Sequence, residues 1–150
     1  MFLLQFGSRD LMRIVIYISR AKHRFTAPDL ADLRDLAAAR NRSLNITGLL
    51  LFDGTRFIQA LEGDTAAVQL VMDRIANDSR HDNISYFKPI ETDHRQFNWW
   101  STEYRDENDL CDGGGFLDRV MKHVADVKCD SIKAAFIGFA ALSLRRRLTT

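Results

Sequence analysis

The stretch at residues 45–63, NITGLLLFDGTRFIQALEG, limits the fold most. It is two apolar runs joined by Asp53-Gly54. That dipeptide marks a tight hairpin, because a type I′ turn needs positive φ at both central residues. Residues 49–52 arrive as one strand and residues 56–61 return as the next. Side chains alternate between the faces of a strand, so Phe57, Gln59 and Leu61 share one face. A glutamine set between Phe57 and Leu61 must find partners for its amide or lose about 1–3 kcal/mol. Gln59 is the first candidate functional residue.

Around this hairpin the elements can be read in order. RIVIYIS, residues 13–19, is β-branched and reads as a strand. Val15, Tyr17 and Ser19 lie on one of its faces and Ile14, Ile16 and Ile18 on the other. Both faces should be covered, as in a central strand. Thr26 or Ala27 caps a helix, Pro28 suits its first turn and Asp29 complements its dipole. Leu30, Leu33, Leu36 and Ala37 form its apolar stripe, and it ends near Asn41. After the hairpin, Asp64 or Thr65 starts a second helix with Val68, Val71, Met72 and Ile75 inward. A strand follows over residues 84–90, interrupted by Pro89, and a short one surrounds residues 99–104.

The order β-α-β-β-α-β plus one strand is ferredoxin-like. It puts both helices on one face of the sheet. The other face would present Ile14, Ile16, Ile18, Ile58 and Ala60, too apolar for water. Two C-terminal stripes supply the cover. Leu117, Val120, Met121 and Val124 form one. Ile132, Ala135, Phe136, Phe139 and Ala140 form the other, beginning at the cap Asp130. Gly113-Gly114-Gly115 is the hinge before them. The fold expected is α+β: a five-stranded sheet with two helices on one face and a helix pair on the other. Residues 12–105 form the core unit, residues 106–150 a helical cap in the same compact body, and residues 1–11 an extension.

Composition narrows the function classes. A length of 150 residues, 46% apolar, suits one domain with a sizeable core. A formal charge of +1 gives no global reason to expect nucleic acid or an anionic membrane as partner. Cys111 and Cys129 lack metal-ligand spacing and read as reduced thiols of a cytoplasmic protein. His81 has no partners at ligand spacing, so no metal site is expected. No run is long enough to span a bilayer, and MFLLQF lacks the basic start and cleavage site of a signal peptide.

Five separated segments resemble the BLUF family, the blue-light sensors that use flavin. They are Tyr17 in IYIS, Asn41 in RNRSLNITG, Gln59 in FIQALEG, DSRH at residues 78–81, and FNWWS. Together they span roughly residues 12–104. The resemblance implies a non-covalent flavin between the two sheet-packed helices, FAD with FMN as the alternative. It puts the photoactive tyrosine at Tyr17, the glutamine at Gln59 and the flavin-binding asparagine at Asn41. Arg74, Asp78, Arg80 and His81 fall where the family contacts the ribityl chain, ring edge or phosphates. There is one departure. The family has tryptophan, one residue, then methionine on the last strand, whereas here Trp100 is followed by Ser101 and Thr102. Trp100 and Thr102 are expected on the flavin side, Trp99 and Ser101 on the side of the C-terminal helices.

Singly, these residues have plainer readings. Tyr17 is an ordinary buried tyrosine, Gln59 an edge residue facing water, and Asn41 a helix C-terminal residue. Asp78, Arg80, His81 and Arg145-Arg146-Arg147 are solvated helix ends. The joint pattern carries the function. The resemblance implies a photoreceptor, not an enzyme, in which Tyr17 is expected to donate an electron and a proton through Gln59. The flavin carbonyl then gains a hydrogen bond, and absorption shifts to the red until dark recovery. With no residues left after the helix pair for an output enzyme, output is a change of protein partner or of homo-oligomer. Two rivals are an interaction module that has lost its photocycle or its flavin and a small-phosphate hydrolase. The latter lacks a nucleophile–base set.

Overall fold

The computed structural model describes residues 11–106 and 115–147, with side chains to residue 144. Residues 1–10, Cys111, Gly113, Gly114 and the side chains of Arg145, Arg146 and Arg147 lie outside that description.

The elements run β1 (Met12–Ala21), α1 (Ala27–Ser43), β2 (Thr47–Phe52), β3 (Arg56–Asp64), α2 (Thr65–Ala76), β4 (His81–Tyr86), β5 (Ile90–Thr92), β6 (Trp100–Tyr104), α3 (Gly115–His123) and α4 (Asp130–Arg147). The sheet order is β4-β1-β3-β2-β6, with β5 also paired to β1. Its first four members are the ferredoxin-like set. β6 adds parallel to β2, and every other pairing is antiparallel.

Local chemistry explains the helix starts. Thr26 and Asp29 form a reciprocal capping box, with Thr26 accepting from the Asp29 amide (3.2 Å) and Asp29 from the Thr26 amide (2.8 Å). Asp64 accepts from the Ala66 and Ala67 amides and so satisfies two donors that a helix start leaves orphaned.

The sheet is buried on both faces. Ile14, Ile16, Leu51, Ile58 and Ala60 pack on one side against Phe116, Val120, Ile132, Phe136 and Phe139 of α3 and α4. Tyr17 and Leu61 pack on the other against Val68, Val71, Met72 and Ile75 of α2. No helix among the described residues is long and apolar enough to cross a membrane.

Four expectations change. The segment at 84–90 is two strands rather than one, so the sheet has six strands and not five. Pro89 cannot donate to a ladder, and the pairing with β1 breaks there. The residues between continue alongside β1 through a bond from the Phe87 amide to the Ile16 carbonyl (2.9 Å). The hairpin turn also differs, because only Gly54 has positive φ (102°). Asp53 instead turns its carboxylate inward and accepts from the Thr55 amide (2.9 Å) and the Arg56 amide (2.7 Å). In α3, Met121 is 48% exposed, whereas Phe116 and Val120, joined by Val124 and Val127 just beyond the helix, face the core. α3 ends at His123, and Val124, whose amide still bonds the Val120 carbonyl (3.1 Å), keeps its place in the stripe. Finally, Leu36 in the stripe of α1 is 67% exposed, and within α1 only Ala37 and Asn41 are buried. The stripe faces a cleft instead of a closed core.

Candidate functional site

That cleft lies between α1 and α2, over β1 and β3. It holds about 560 Å³ of space between the walls, its open mouth included. Leu33, Leu36, Ala37 and Arg40 form one wall, at i, i+3, i+4 and i+7 along α1. Phe25, Leu50 and Phe57 close one end as part of a cluster in which Phe25 meets Phe52 and Phe57 edge-on. Ile75, Asp78, Arg80 and His81 form the opposite wall, and Tyr17 and Gln59 the floor.

The floor is set by strand register. Tyr17 on β1 sits directly opposite Gln59 on β3, and side chains so placed on one face meet. The Tyr17 hydroxyl donates to Gln59 Oε1 in a buried bond. Burial pushes the Tyr17 phenol well above its ordinary pKa, so the group stays protonated and donates. With Oε1 taken by Tyr17, the Gln59 amide NH₂ is left to point elsewhere.

The far wall holds charge. Arg80 grips Asp78 through its side chain, with Nη2 to Oδ2 at 2.6 Å and Nε between Oδ1 (3.0 Å) and Oδ2 (3.1 Å). The Arg80 side-chain bond holds the Asp78 carboxyl below its usual range, and Asp78 raises Arg80 in return. His81 Nε2 lies 2.6 Å from the Ile75 carbonyl and Nδ1 lies 2.7 Å from Ser19 Oγ. A carbonyl only accepts, so Nε2 carries a proton and the ring is fixed between α2 and β1.

Not all the residues picked from sequence line the cleft. Asn41 is fully buried next to it, with Oδ1 accepting from Arg40 Nε (3.1 Å) and Nδ2 buried without a partner. Arg74 is exposed on the last turn of α2. Trp100 packs on the cleft side of the sheet between the two apolar clusters there. The Trp100 indole N–H and Thr102 Oγ1 are both buried without partners. Trp99, 65% exposed, and Ser101 instead share a second groove with Lys122 and His123 of α3.

Arg40 is the cleft residue that sequence reading missed. Burial lowers its pKa, which marks a cation partly withdrawn from water. The helical stripe Leu33, Leu36, Ala37 extended by one step would have found it. Phe25, in the loop before α1, has no periodic signal at all.

The family model described as "BLUF: Sensors of blue-light using FAD" matches residues 12–103. The chain belongs to the BLUF family. Photoactivated adenylate cyclase subunit alpha of Euglena gracilis is 40% identical over 87 residues, 57% of this chain but 8% of that protein. Curated relatives of this kind are thus far longer than the stretch they share with this BLUF chain. Klebsiella pneumoniae BlrP1 superposes with a TM-score of 0.68 at 28% identity, covering 85% of this chain and 33% of that one. The dark-state structure of BlrB, a BLUF protein, gives 0.61 at 27% identity and covers 85% and 99%.

Membership in BLUF makes this chain a flavin-using blue-light sensor unit, and its own residues fit the cofactor. The α1 stripe and the aromatic end of the cleft offer apolar surface to a fused aromatic ring, and the opposite wall offers charged and polar groups to the rest of the cofactor. The buried, partnerless Nδ2 of Asn41 calls for an acceptor beside that cleft, and the flavin ring has carbonyl and nitrogen acceptors.

Proposed function

We propose that this BLUF chain senses blue light through FAD held in the α1–α2 cleft, with Tyr17 as electron donor and Gln59 as the hydrogen-bond switch. The observation that carries the reading is the buried bond from Tyr17 to Gln59 Oε1 on the cleft floor. Flavin, when bound, supplies absorption of blue light and an excited state that accepts an electron. Asn41, Asp78, Arg80 and His81 hold it, with Arg40 and Arg74 as further contacts.

The chain's own chemistry follows from the floor. Tyr17 would give its electron to that excited state and its hydroxyl proton to Gln59 Oε1, while the Gln59 amide nitrogen releases a proton into the cleft, leaving the neutral amide tautomer. Burial gives the hydroxyl proton no water to leave to. Return of one electron and one proton restores the phenol. Gln59 has a donor end and an acceptor end, so rotating or tautomerising the amide exchanges the bonds it offers to Tyr17 and to the cleft. The signal is then passed by way of the sheet to α3 and α4, and on to a partner protein or a second copy.

Flavin released by heat from purified protein and run beside FAD and FMN standards tests the cofactor. FAD at close to one per chain is expected, and a folded chain purified without flavin contradicts the reading. Asn41→Ala should lower flavin content several-fold, since a buried amide bond contributes about 0.5–1.5 kcal/mol. Flavin per chain, with a thermal melt to confirm folding, measures this, and unchanged occupancy would assign Asn41 to the helix end alone.

Thr102 is expected to set the lifetime of the lit state. Its buried hydroxyl lacks a partner, whereas methionine offers a flexible thioether and no donor. Thr102→Met should change dark-recovery kinetics more than flavin content, and recovery followed by absorption after a light pulse shows it. Lit-versus-dark hydrogen exchange should differ over residues 99–104 and in α3.

A further inference from the structure

Two buried carboxylates lie at the two ends of the β2–β3 hairpin, and neither takes part in the cleft. Glu62, 0% exposed, is three residues beyond Gln59 on β3 and so points to the opposite face of the sheet. Its oxygens accept from the Gln96 amide (2.6 Å), the Phe97 amide (2.9 Å) and Thr47 Oγ1 (2.9 Å). Gln96 then turns its own Oε1 to the amides of Lys128 and Cys129, both at 3.0 Å, just before α4 begins at Asp130. The Cys129 amide sits at the cap of α4, where a donor has no partner within the helix, and the Lys128 amide lies one residue before it.

Asp53 does the equivalent at the other end. Its Oδ1 holds the hairpin turn, and its Oδ2 lies 2.7 Å from Ser143 Oγ on α4. Ser143 Oγ is also 2.8 Å from the Phe139 carbonyl, so its one proton is shared between two acceptors. Arg56 of β3 adds a cation over the Phe139 ring at 5.1 Å.

We propose that these two clamps, Glu62–Gln96 at the start of α4 and Asp53–Ser143 near its end, make α4 the element that reads the position of β3. The proposal rests on the photoreceptor reading above and extends it to a route separate from β6 and α3. A change at Gln59 that moves β3 draws on both clamps, because one chain segment carries Gln59, Glu62 and, through the turn, Asp53. Apolar packing between sheet and helix tolerates small slides, whereas hydrogen bonds weaken steeply once their geometry is lost. The clamps are therefore the stiff part of the connection.

The test is lit-versus-dark hydrogen exchange on the flavin-loaded full chain, with absorption recorded in parallel. Wild type should show light-dependent exchange at both residues 128–134 and residues 139–144. Gln96→Ala, which leaves the Glu62 bonds to backbone intact, should keep the red shift and lose the difference at 128–134 alone. Gln96→Glu, which keeps an acceptor for the two amides, should restore it. Ser143→Ala should lose the difference at 139–144 alone. If α4 responds equally in wild type, Gln96→Ala and Ser143→Ala, or does not respond in a wild type that shifts normally, the clamps do not transmit. A wild type with no red shift overturns the photoreceptor reading and this proposal with it.

Discussion

Tyr17→Phe and Gln59→Leu should each abolish the photoinduced red shift while flavin stays bound. The two side chains form one buried hydrogen bond across paired positions of β1 and β3, and removing either partner removes the bond. Phenylalanine keeps the ring's packing against Leu61, Val68 and Met72 but has no proton to pass and is a far poorer electron donor. Leucine keeps the volume of position 59 but has neither donor nor acceptor. Both variants leave one buried polar group unpaired, at a cost of about 1–3 kcal/mol, so each melt should fall while the fold persists. Light-minus-dark spectra of the two variants measure the effect. A normal shift in either would remove that residue from the mechanism.

Gly48→Ala should be the most damaging single change to the fold. Gly48 lies in β2 with φ at 149°, and a Cβ there would stand 1.9 Å from the Ala60 carbonyl oxygen of β3. That neighbour is backbone in the middle of the hairpin, so it cannot swing away as a side chain would. Trp100 closes the third side, its ring 3.2 Å from the same point. Relief requires β2 to part from β3 or from β6. A loss on the order of 3 kcal/mol or more is expected, which for a chain of this size lowers Tm by about 6–12 °C. A melt of Gly48→Ala within a degree or two of wild type would mean the strand pair is far looser than described. The cleft would be lost with the hairpin, because Leu50, Phe57 and Gln59 all come from it.

Much of the fold was legible because its signals are local. Alternation on RIVIYIS separated the Tyr17 face from the Ile16 face, and the two clusters of the structure follow that division. The apolar second face correctly implied the C-terminal helix pair. What failed depended on what lay opposite. Leu36 looked like core by spacing, but its partner is the cleft. The type I′ turn was inferred from Asp53-Gly54, yet the Asp53 carboxylate organises the turn and is held by Ser143, 90 residues away. Glu62 stood in plain view in FIQALEG on the apolar face with Ile58 and Ala60. Its partners are backbone amides at Gln96 and Phe97, and backbone leaves no mark in a sequence.

The candidate site divides in the same way. Tyr17 and Gln59 could be placed on one face, since strand periodicity fixes faces. That they stand directly opposite is a matter of register, which only the pairing of β1 with β3 supplies. Arg40 was hidden by its charge, because a cation at the end of a helix ordinarily reads as solvated and dipole-complementing.

The central claim is that Tyr17, Gln59 and a flavin in this cleft form a light-driven hydrogen-bond switch. The most direct measurement is the absorption spectrum of the purified wild-type protein before and after blue light, followed through dark recovery. The account predicts a yellow protein whose flavin band moves to the red on illumination and returns in the dark. A yellow protein whose spectrum does not move, or a folded protein without colour, would contradict it.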